Sequence, residues 1–187
     1  LDHRQLLERT VVVVAGDHGE SLGEHGEEDH GIFVYEGVLR VPLIIRLPRG
    51  HDGGPAPRRI GDVVRLVDVM PTVLELLEVP VPPMDGVSLA GRIRGIQSRL
   101  DLEAYAESMY PARFGWSPLT TLRDGRFKLI AAPRTELYDL ERDPFETRNI
   151  LDERPPVVQA MTRRLDVLAG TDTGPVGAGL GLEVPAD

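Results

Sequence analysis

Val11-Val12-Val13-Val14-Ala15-Gly16-Asp17-His18-Gly19-Glu20 joins a β-branched block directly to an acid and a histidine. The unbroken apolar run from Thr10 to Ala15 is typical of a strand that is covered on both faces in a parallel sheet. Gly16 and Gly19 allow the backbone to turn sharply where this strand ends. Ligands bind at the carboxyl ends of strands in open α/β sheets. We therefore predict an α/β fold that presents Asp17 and His18 at the mouth of its sheet.

The remainder of the first hundred residues continues the same pattern. Val41 to Leu47 is predicted to be a second buried strand, and Val63 to Val69 a third. Pro71 suits the first turn of a helix that continues through Glu78. Residues 1–100 are thus predicted to form one α/β unit with a mostly parallel sheet and helices.

After residue 100 the pattern changes to that of an antiparallel sheet. Strands are predicted over Glu103 to Met109 and over Leu119 to Ile130, the second folded about the hairpin signal Asp124-Gly125. A helix is predicted from Pro155, because apolar residues recur there at helical spacing, namely Val157, Met161, Leu165 and Leu168. Residues 101–170 are therefore predicted to be a small antiparallel sheet with one covering helix, and the glycine-rich residues 171–187 a flexible tail.

Composition excludes several classes of function. The chain has 187 residues, 30 acidic against 21 basic side chains and a formal charge of −9, which argues against nucleic acid as a partner. It has no apolar run of about 18 residues, so no membrane segment is predicted. With no cysteine, it offers no disulfide, no thiolate metal site and no cysteine nucleophile. The compartment stays open, since no secretion signal is recognised.

Asp17 and His18 are the first candidates for metal ligands. Divalent cations prefer anionic oxygen, and imidazole becomes attractive when the metal is manganese or zinc. Adjacent residues on a strand point to opposite faces, so both side chains can reach one ion only where the backbone bends. Two alternatives stay open from the residues alone. The pair caps a turn after the strand, or His30 and the acidic residues 27–29 beside it form a solvated surface.

A longer set of motifs supports the metal hypothesis. The stretch from Gly16 to Gly26, followed by His30-Gly31, resembles the sulfatase family of the alkaline phosphatase superfamily. Further segments agree in the same order, namely Tyr35-Glu36, residues 40–45, 67–77, 85–89, 125–130 and 136–140, Asp143-Pro144-Phe145-Glu146 and Asn149. The resemblance implies the carboxyl-terminal part of an alkaline-phosphatase-like sandwich, with residues 1–100 as the second half of the catalytic domain.

The resemblance also implies site residues. Asp17 and His18 fall where sulfatases bind one catalytic divalent cation, usually calcium, although many of them have asparagine at the second position. His18 therefore leaves manganese and zinc open. His30 falls where related enzymes place a side chain that stabilises charge on the transferred group or its leaving oxygen. His25 is a candidate orienting residue, whereas Glu20 and Glu24 are expected to hydrogen-bond within the loop.

The nucleophile of the family is not found in this sequence. Sulfatases carry a formylglycine made from Cys or Ser in a Cys/Ser-x-Pro-x-Arg motif, and Ser117-Pro118 does not fit it. We expect the formylglycine, further metal ligands and the other half of the catalytic domain to lie upstream, so that these 187 residues alone have no sulfatase activity. The substrate is expected to be a sulfate ester, whose identity the fold does not fix.

Two other functions stay open. Phosphoethanolamine and phosphoglycerol transferases, and phosphonate monoester hydrolases, belong to the same superfamily and share the Asp-His-Gly-Glu loop with a following His-Gly. A non-catalytic metal-binding module would need Asp17 and His18 but no nucleophile.

Overall fold

The computed structural model describes residues 6–48 and 56–170, which contain two antiparallel sheets and several short helices. The tail of residues 171–187, predicted to be flexible, lies outside the described residues. In the described part, no helix is both long and apolar enough to cross a membrane.

The first sheet differs from the predicted one. Strands β1 (Val12–Ala15) and β2 (Leu43–Arg46) pair antiparallel, with Val12 opposite Arg46 and Ala15 opposite Leu43. Within residues 6–48 and 56–170 no strands pair in parallel, so the prediction of a mostly parallel sheet was wrong. Neither strand is covered on both faces, because Val14 and Ile44, which lie opposite each other, are 54% and 59% exposed. An apolar run identifies a strand but does not specify the direction of its partner.

The short helices fall between and after these strands. They are α1 (Glu36–Leu39), α2 (Val69–Leu76) and α3 (Ala90–Ile93). The strand predicted over residues 63–69 was wrong, because Leu66–Asp68 forms a 3-10 turn that leads directly into α2. The buried carboxylate of Asp68 accepts hydrogen bonds from the backbone N–H groups of Arg65 and Val87, at 2.9 Å each, and this folds the chain back on itself.

The second sheet confirms the predicted small antiparallel sheet with one covering helix, which we call the carboxyl-terminal subdomain. Its strands are β3 (Ala104–Ser108), β4 (Leu119–Arg123), β5 (Phe127–Ala131) and β6 (Glu136–Asp139), paired antiparallel in sequence order. The Asp124 carboxylate closes the predicted hairpin by accepting from Arg126 N at 2.7 Å and Phe127 N at 2.6 Å. Helix α4 (Pro155–Ala169) covers one face, with a core of Leu122, Leu129, Leu137, Ile150, Met161 and Leu165.

The opposite face of the second sheet packs against the chain that follows β1. Val34 is buried with Leu119, Ile130 and Tyr138, and Phe33 and Tyr35 pack against this cluster. The segment between β1 and β2 is therefore attached to the carboxyl-terminal subdomain as well as to its own sheet. Further 3-10 turns lie at Leu6–Arg9, Glu24–Gly26, Tyr110–Phe114 and Leu151–Glu153.

Candidate metal centre

The loop after β1 is held against helix α1 by backbone contacts. Gly19 N donates to Val38 O at 2.6 Å, and Gly16 N donates to Pro42 O at 3.3 Å. A Cβ atom at Gly19 would lie only 2.2 Å from Gly37 O, a distance that no side chain tolerates. Residue 19 is consequently a glycine because two backbones meet there, rather than because the chain needs an unusual φ angle.

His18 has a defined protonation pattern in this loop. Its Nδ1 lies 2.8 Å from Gly19 O, and since a carbonyl oxygen only accepts, Nδ1 carries the hydrogen. The lone pair on Nε2 is then available, and Asp17 Oδ2 lies 4.0 Å from this atom. The bend predicted from Gly16 and Gly19 thus brings the acid and the imidazole to one side of the chain.

The backbone also sets the charge of this pair. The N–H groups of Asp17 and His18 hold the pKa of the Asp17 carboxyl below its ordinary value. The Gly19 carbonyl raises the pKa of His18. Asp17 is therefore ionised under most conditions, whereas a metal ion must displace a proton from His18 more often than from an unperturbed histidine.

His30 lies directly beside His18. The two rings stack with their centroids 3.9 Å apart and their planes inclined by 24°. His30 Nδ1 lies 2.9 Å from Glu20 Oε1 and 2.8 Å from Asp29 Oδ1. Because two carboxylates face Nδ1, that nitrogen donates to them and Nε2 is left for another partner.

Glu27 fixes the segment that carries His30. Its side chain is buried, and its Oε1 accepts from Ile32 N at 2.9 Å while Oε2 lies 3.3 Å from Phe33 N. The expectation that residues 27–29 all belong to a solvated face was therefore wrong for Glu27. Its carboxylate accepts hydrogen bonds from the backbone of the following turn. The charges of the neighbouring residues in the sequence do not reveal these bonds.

Glu20 is a site residue that the sequence hypothesis assigned to local hydrogen bonding. One ligand atom each from His18, Glu20 and His30 lies within 4.8 Å of the other two, so this trio is able to hold a cation. The sequence did contain a signal that Glu20 belongs to the site. Residues two apart on an extended chain share a face, and Glu20 follows His18 by two positions. Glu24 does bond within the loop, accepting from Leu22 N at 2.5 Å.

His25 lies away from the Asp17–His18 pair. Its ring stacks on Tyr35 with centroids 3.6 Å apart, and its Nε2 lies 3.2 Å from Phe145 O. These contacts join the loop to the carboxyl-terminal subdomain. They give His25 no direct contact with the candidate ligands, which was the contact expected of an orienting residue.

The donor set fits a transition-metal ion better than calcium. Calcium takes six to eight oxygen ligands, and the site offers two carboxylates, Asp17 and Glu20, beside two imidazoles. Mixed imidazole and carboxylate ligands suit manganese or zinc. The side chains of Asp17 and His18 are 93% and 42% exposed, so further ligands have room to approach.

Comparisons with known proteins place these features in context. Residues 23–170 match the family model described as N-sulphoglucosamine sulphohydrolase, C-terminal. Choline-sulfatase of Rhizobium meliloti (strain 1021) is 35% identical over 169 residues, which cover 86% of this chain and 31% of that protein. The chain thus spans about a third of the length of the curated relatives it matches.

Two solved structures extend the similarity to three dimensions. BT4656, in complex with its substrate D-glucosamine-2-N,6-O-disulfate, is 28% identical with a TM-score of 0.68, covering 90% of this chain and 35% of that one. The phosphonate monoester hydrolase of Agrobacterium radiobacter is 28% identical with a TM-score of 0.65, covering 86% of this chain and 35% of that one.

Proposed function

Because the chain belongs to the sulfatase family, we propose that it is part of a metal-dependent sulfuric ester hydrolase, to which it contributes metal and substrate ligands. The observation that carries the proposal is the trio of His18, Glu20 and His30, whose ligand atoms lie within 4.8 Å of one another, with Asp17 Oδ2 lying 4.0 Å from His18 Nε2. We propose a sulfate ester as the substrate class, because the name of choline-sulfatase and the substrate bound to BT4656 both contain sulfate.

In the proposed enzyme, Asp17 Oδ2 and His18 Nε2 hold the cation, and Glu20 is a third ligand candidate. A divalent cation held there would supply Lewis-acid stabilisation of the negative charge on the substrate. The Gly19 carbonyl keeps His18 in the tautomer that frees Nε2, a common role for groups behind a metal ligand. The chain has no cysteine and no Cys/Ser-x-Pro-x-Arg motif, so the proposed formylglycine is not among these residues.

His30 is proposed to act on the ester rather than on the metal. Its Nδ1 is occupied by Glu20 and Asp29, so Nε2 is the atom left to face the substrate. When the ring carries both protons, its Nε2–H would donate a hydrogen bond to an ester oxygen as negative charge develops there.

A second function is supported by one comparison. The phosphonate monoester hydrolase of Agrobacterium radiobacter is as similar in sequence as BT4656, at 28% identity. A site of two imidazoles and two carboxylates is compatible with either a sulfate or a phosphonate monoester. The relative turnover of an aryl sulfate and a phosphonate monoester distinguishes the two reactions.

Two measurements test the proposal. In the 187-residue chain, Mn²⁺ titration followed by NMR line broadening should first affect His18, Glu20 and their neighbours. An absence of selective broadening there would show that the residues of this chain do not hold the cation by themselves.

In the enzyme that contains this chain, His30→Ala should lower kcat for an aryl sulfate by about 10²- to 10³-fold, since a transition-state hydrogen-bond donor is lost. His25→Ala is the matched control, because His25 is an exposed histidine of the same loop whose contacts are with Tyr35 and Phe145. It should retain kcat within about threefold. Equal losses in both variants would remove His30 from the proposed role.

A further inference from the structure

One cluster of charges lies outside the candidate metal centre and is built around two side chains that are removed from solvent, Lys128 and Glu146. Lys128, the only lysine of the chain, lies on β5 with no exposed side-chain surface. Its Nζ lies 3.2 Å from Glu36 Oε1 and 2.9 Å from Glu146 Oε1. The other carboxylate oxygen of Glu36, Oε2, lies 3.1 Å from the guanidinium nitrogen Nη1 of Arg123 on β4. We call these four residues the α1 anchor.

The anchor holds helix α1 by its backbone as well as by a side chain. Glu36 N, the first N–H of the helix, donates to Glu146 Oε2 at 2.6 Å, across 110 positions in the sequence. Glu146 has a φ of 55°, a left-handed conformation that is uncommon for residues other than glycine. Such a conformation persists only where surrounding contacts fix it. The carboxyl-terminal subdomain therefore sets the position of α1 from two directions.

Helix α1 in turn touches the loop of the metal centre. Val38 O accepts from Gly19 N at 2.6 Å, and Gly37 O leaves no room for a side chain at residue 19. Gly19 lies between His18 and Glu20 in the sequence, so any shift of α1 moves the backbone that carries both candidate ligands. The anchor contacts α1, and α1 contacts Gly19. These two contacts connect strand β5 with the candidate metal centre.

The chemistry of the anchor favours a role in geometry. A buried ion pair adds little net stability compared with apolar side chains of the same volume, because both charges must leave water. Ion pairs with hydrogen bonds are nevertheless directional, whereas apolar contacts permit sliding. The α1 anchor has a high desolvation cost and a fixed geometry. These properties suit a cluster that holds helix α1 in one position.

We propose that the α1 anchor is a positioning device for the metal-binding loop, in which Lys128, Arg123 and Glu146 fix Glu36 and helix α1, and α1 fixes His18 and Glu20. The identity of the bound cation rests on the proposed function. None of the four anchor residues touches metal or substrate; each acts through the placement of Gly19.

The test compares the effects of replacing two buried carboxylates in the 187-residue chain, one inside the α1 anchor and one outside it. Glu36→Gln weakens the anchor while preserving side-chain volume. Asp139→Asn is the matched control, since Asp139 is equally buried, pairs with Arg126 at 2.6 Å and belongs to β6 rather than to the contact with α1. Glu36→Gln should raise the Kd for Mn²⁺ by about 10-fold or more, in the range seen for groups that orient metal ligands. Asp139→Asn should change it by less than about twofold.

A second readout needs no metal. The stacked rings of His18 and His30 shift each other's ring-proton resonances in NMR spectra, and these shifts should change in Glu36→Gln but not in Asp139→Asn. Should Glu36→Gln fail to fold, Arg123→Met takes its place, because it removes one contact of Glu36 and leaves those of Lys128 intact.

Each outcome decides the matter. If Glu36→Gln lowers only the melting temperature, with ring shifts and Mn²⁺ affinity like those of the control, the anchor merely stabilises the fold and the inference is overturned. If the unmodified chain does not bind Mn²⁺ at all, its own residues do not form a metal site by themselves, while the ring shifts still decide whether the anchor positions the loop.

Discussion

The metal loop of residues 17–30 and the α1 anchor contain similar ionisable groups in opposite environments. In the loop, the carboxylate of Asp17 is 93% exposed and its neighbours are about half exposed. In the anchor, Lys128 has no exposed side-chain surface and Glu146 has 1%. The charged groups of the loop are accessible to solvent and to a ligand, whereas those of the anchor form ion pairs with one another.

The difference is visible in the titration of the two carboxylates. Backbone N–H groups lower the pKa of Asp17, so its charge is favoured where it stands. Burial raises the pKa of Glu146 despite the neighbouring Lys128, so its charge is maintained against a desolvation cost. An exposed cluster can lose one member and stay folded, but a buried cluster depends on every charge having its partner.

The largest expected effect comes from breaking the anchor. Lys128→Met leaves the carboxylates of Glu36 and Glu146 buried without their shared cation, and should lower the free energy of unfolding by about 3–5 kcal/mol. Urea unfolding followed by circular dichroism measures this loss. Adding Glu36→Gln and Glu146→Gln removes the unpaired charges and should restore at least half of it. A single variant as stable as the original chain would contradict the comparison.

A smaller effect on stability, with a large effect on binding, is expected in the loop. Asp17→Ala removes a fully hydrated carboxylate, so the free energy of unfolding should change by no more than about 0.5 kcal/mol. The Kd for Mn²⁺ should rise by about 100-fold, since a direct ligand matters at least as much as the groups that orient it. Calorimetric or NMR titration measures the affinity, and Glu28→Ala serves as the control, because Glu28 is an exposed acid of the same loop. Equal losses in both variants would point to a diffuse electrostatic attraction.

The ion pair of Asp139 and Arg126 sharpens the comparison, because only its carboxylate is buried. The guanidinium of Arg126 holds the pKa of Asp139 below its ordinary value. A carboxyl with a lowered pKa in the folded state contributes stability above the unfolded pKa of about 3.8, and loses it as the pH falls through the folded value. At pH 7, Asp139→Asn should cost about 1.5–3 kcal/mol, the range for hydrogen bonds to charged groups.

The pH dependence of this cost is the critical measurement. Urea unfolding of both chains at pH 7, 5 and 3 should show the difference shrinking once the pH falls below about 3.8, because Asp139 of the unfolded chain then takes up a proton before Asp139 of the folded chain does. A difference that stays constant down to pH 3 would mean that the ion pair contributes nothing that depends on its charge.

The carboxyl-terminal subdomain was largely predictable from sequence because its signals are local. Asp124-Gly125 marks a hairpin that the Asp124 side chain closes itself, and the apolar spacing after Pro155 gives the face of α4. Strand β6 was not predicted as a strand, although its residues 136–140 had been singled out for their resemblance to sulfatases. It pairs with β5 across the short connection of residues 132–135, which has no Asn-Gly or Asp-Gly hairpin signal.

The first sheet and the site were only partly predictable, because they depend on contacts between distant residues. The run from Val11 to Ala15 indicates a strand, yet its antiparallel partner β2 arrives after a segment of nearly thirty residues. Likewise, Asp17 and His18 were identified as candidates from their position after the strand. The role of Glu20 depends on its contact with His30, which lies ten residues later in the sequence. Metal ligation by Asp17 and His18 stays a prediction, as does the action of His30 on the ester.

The contact at Gly19 has a consequence for anyone who would redesign this protein. With Gly37 O only 2.2 Å from where a Cβ would lie, position 19 is closed to all other side chains unless the two backbones separate. A mutagenesis library that seeks a new metal preference should therefore vary the residues on either side and leave this glycine alone. The route to altered selectivity is thereby narrowed to a few positions that already face solvent.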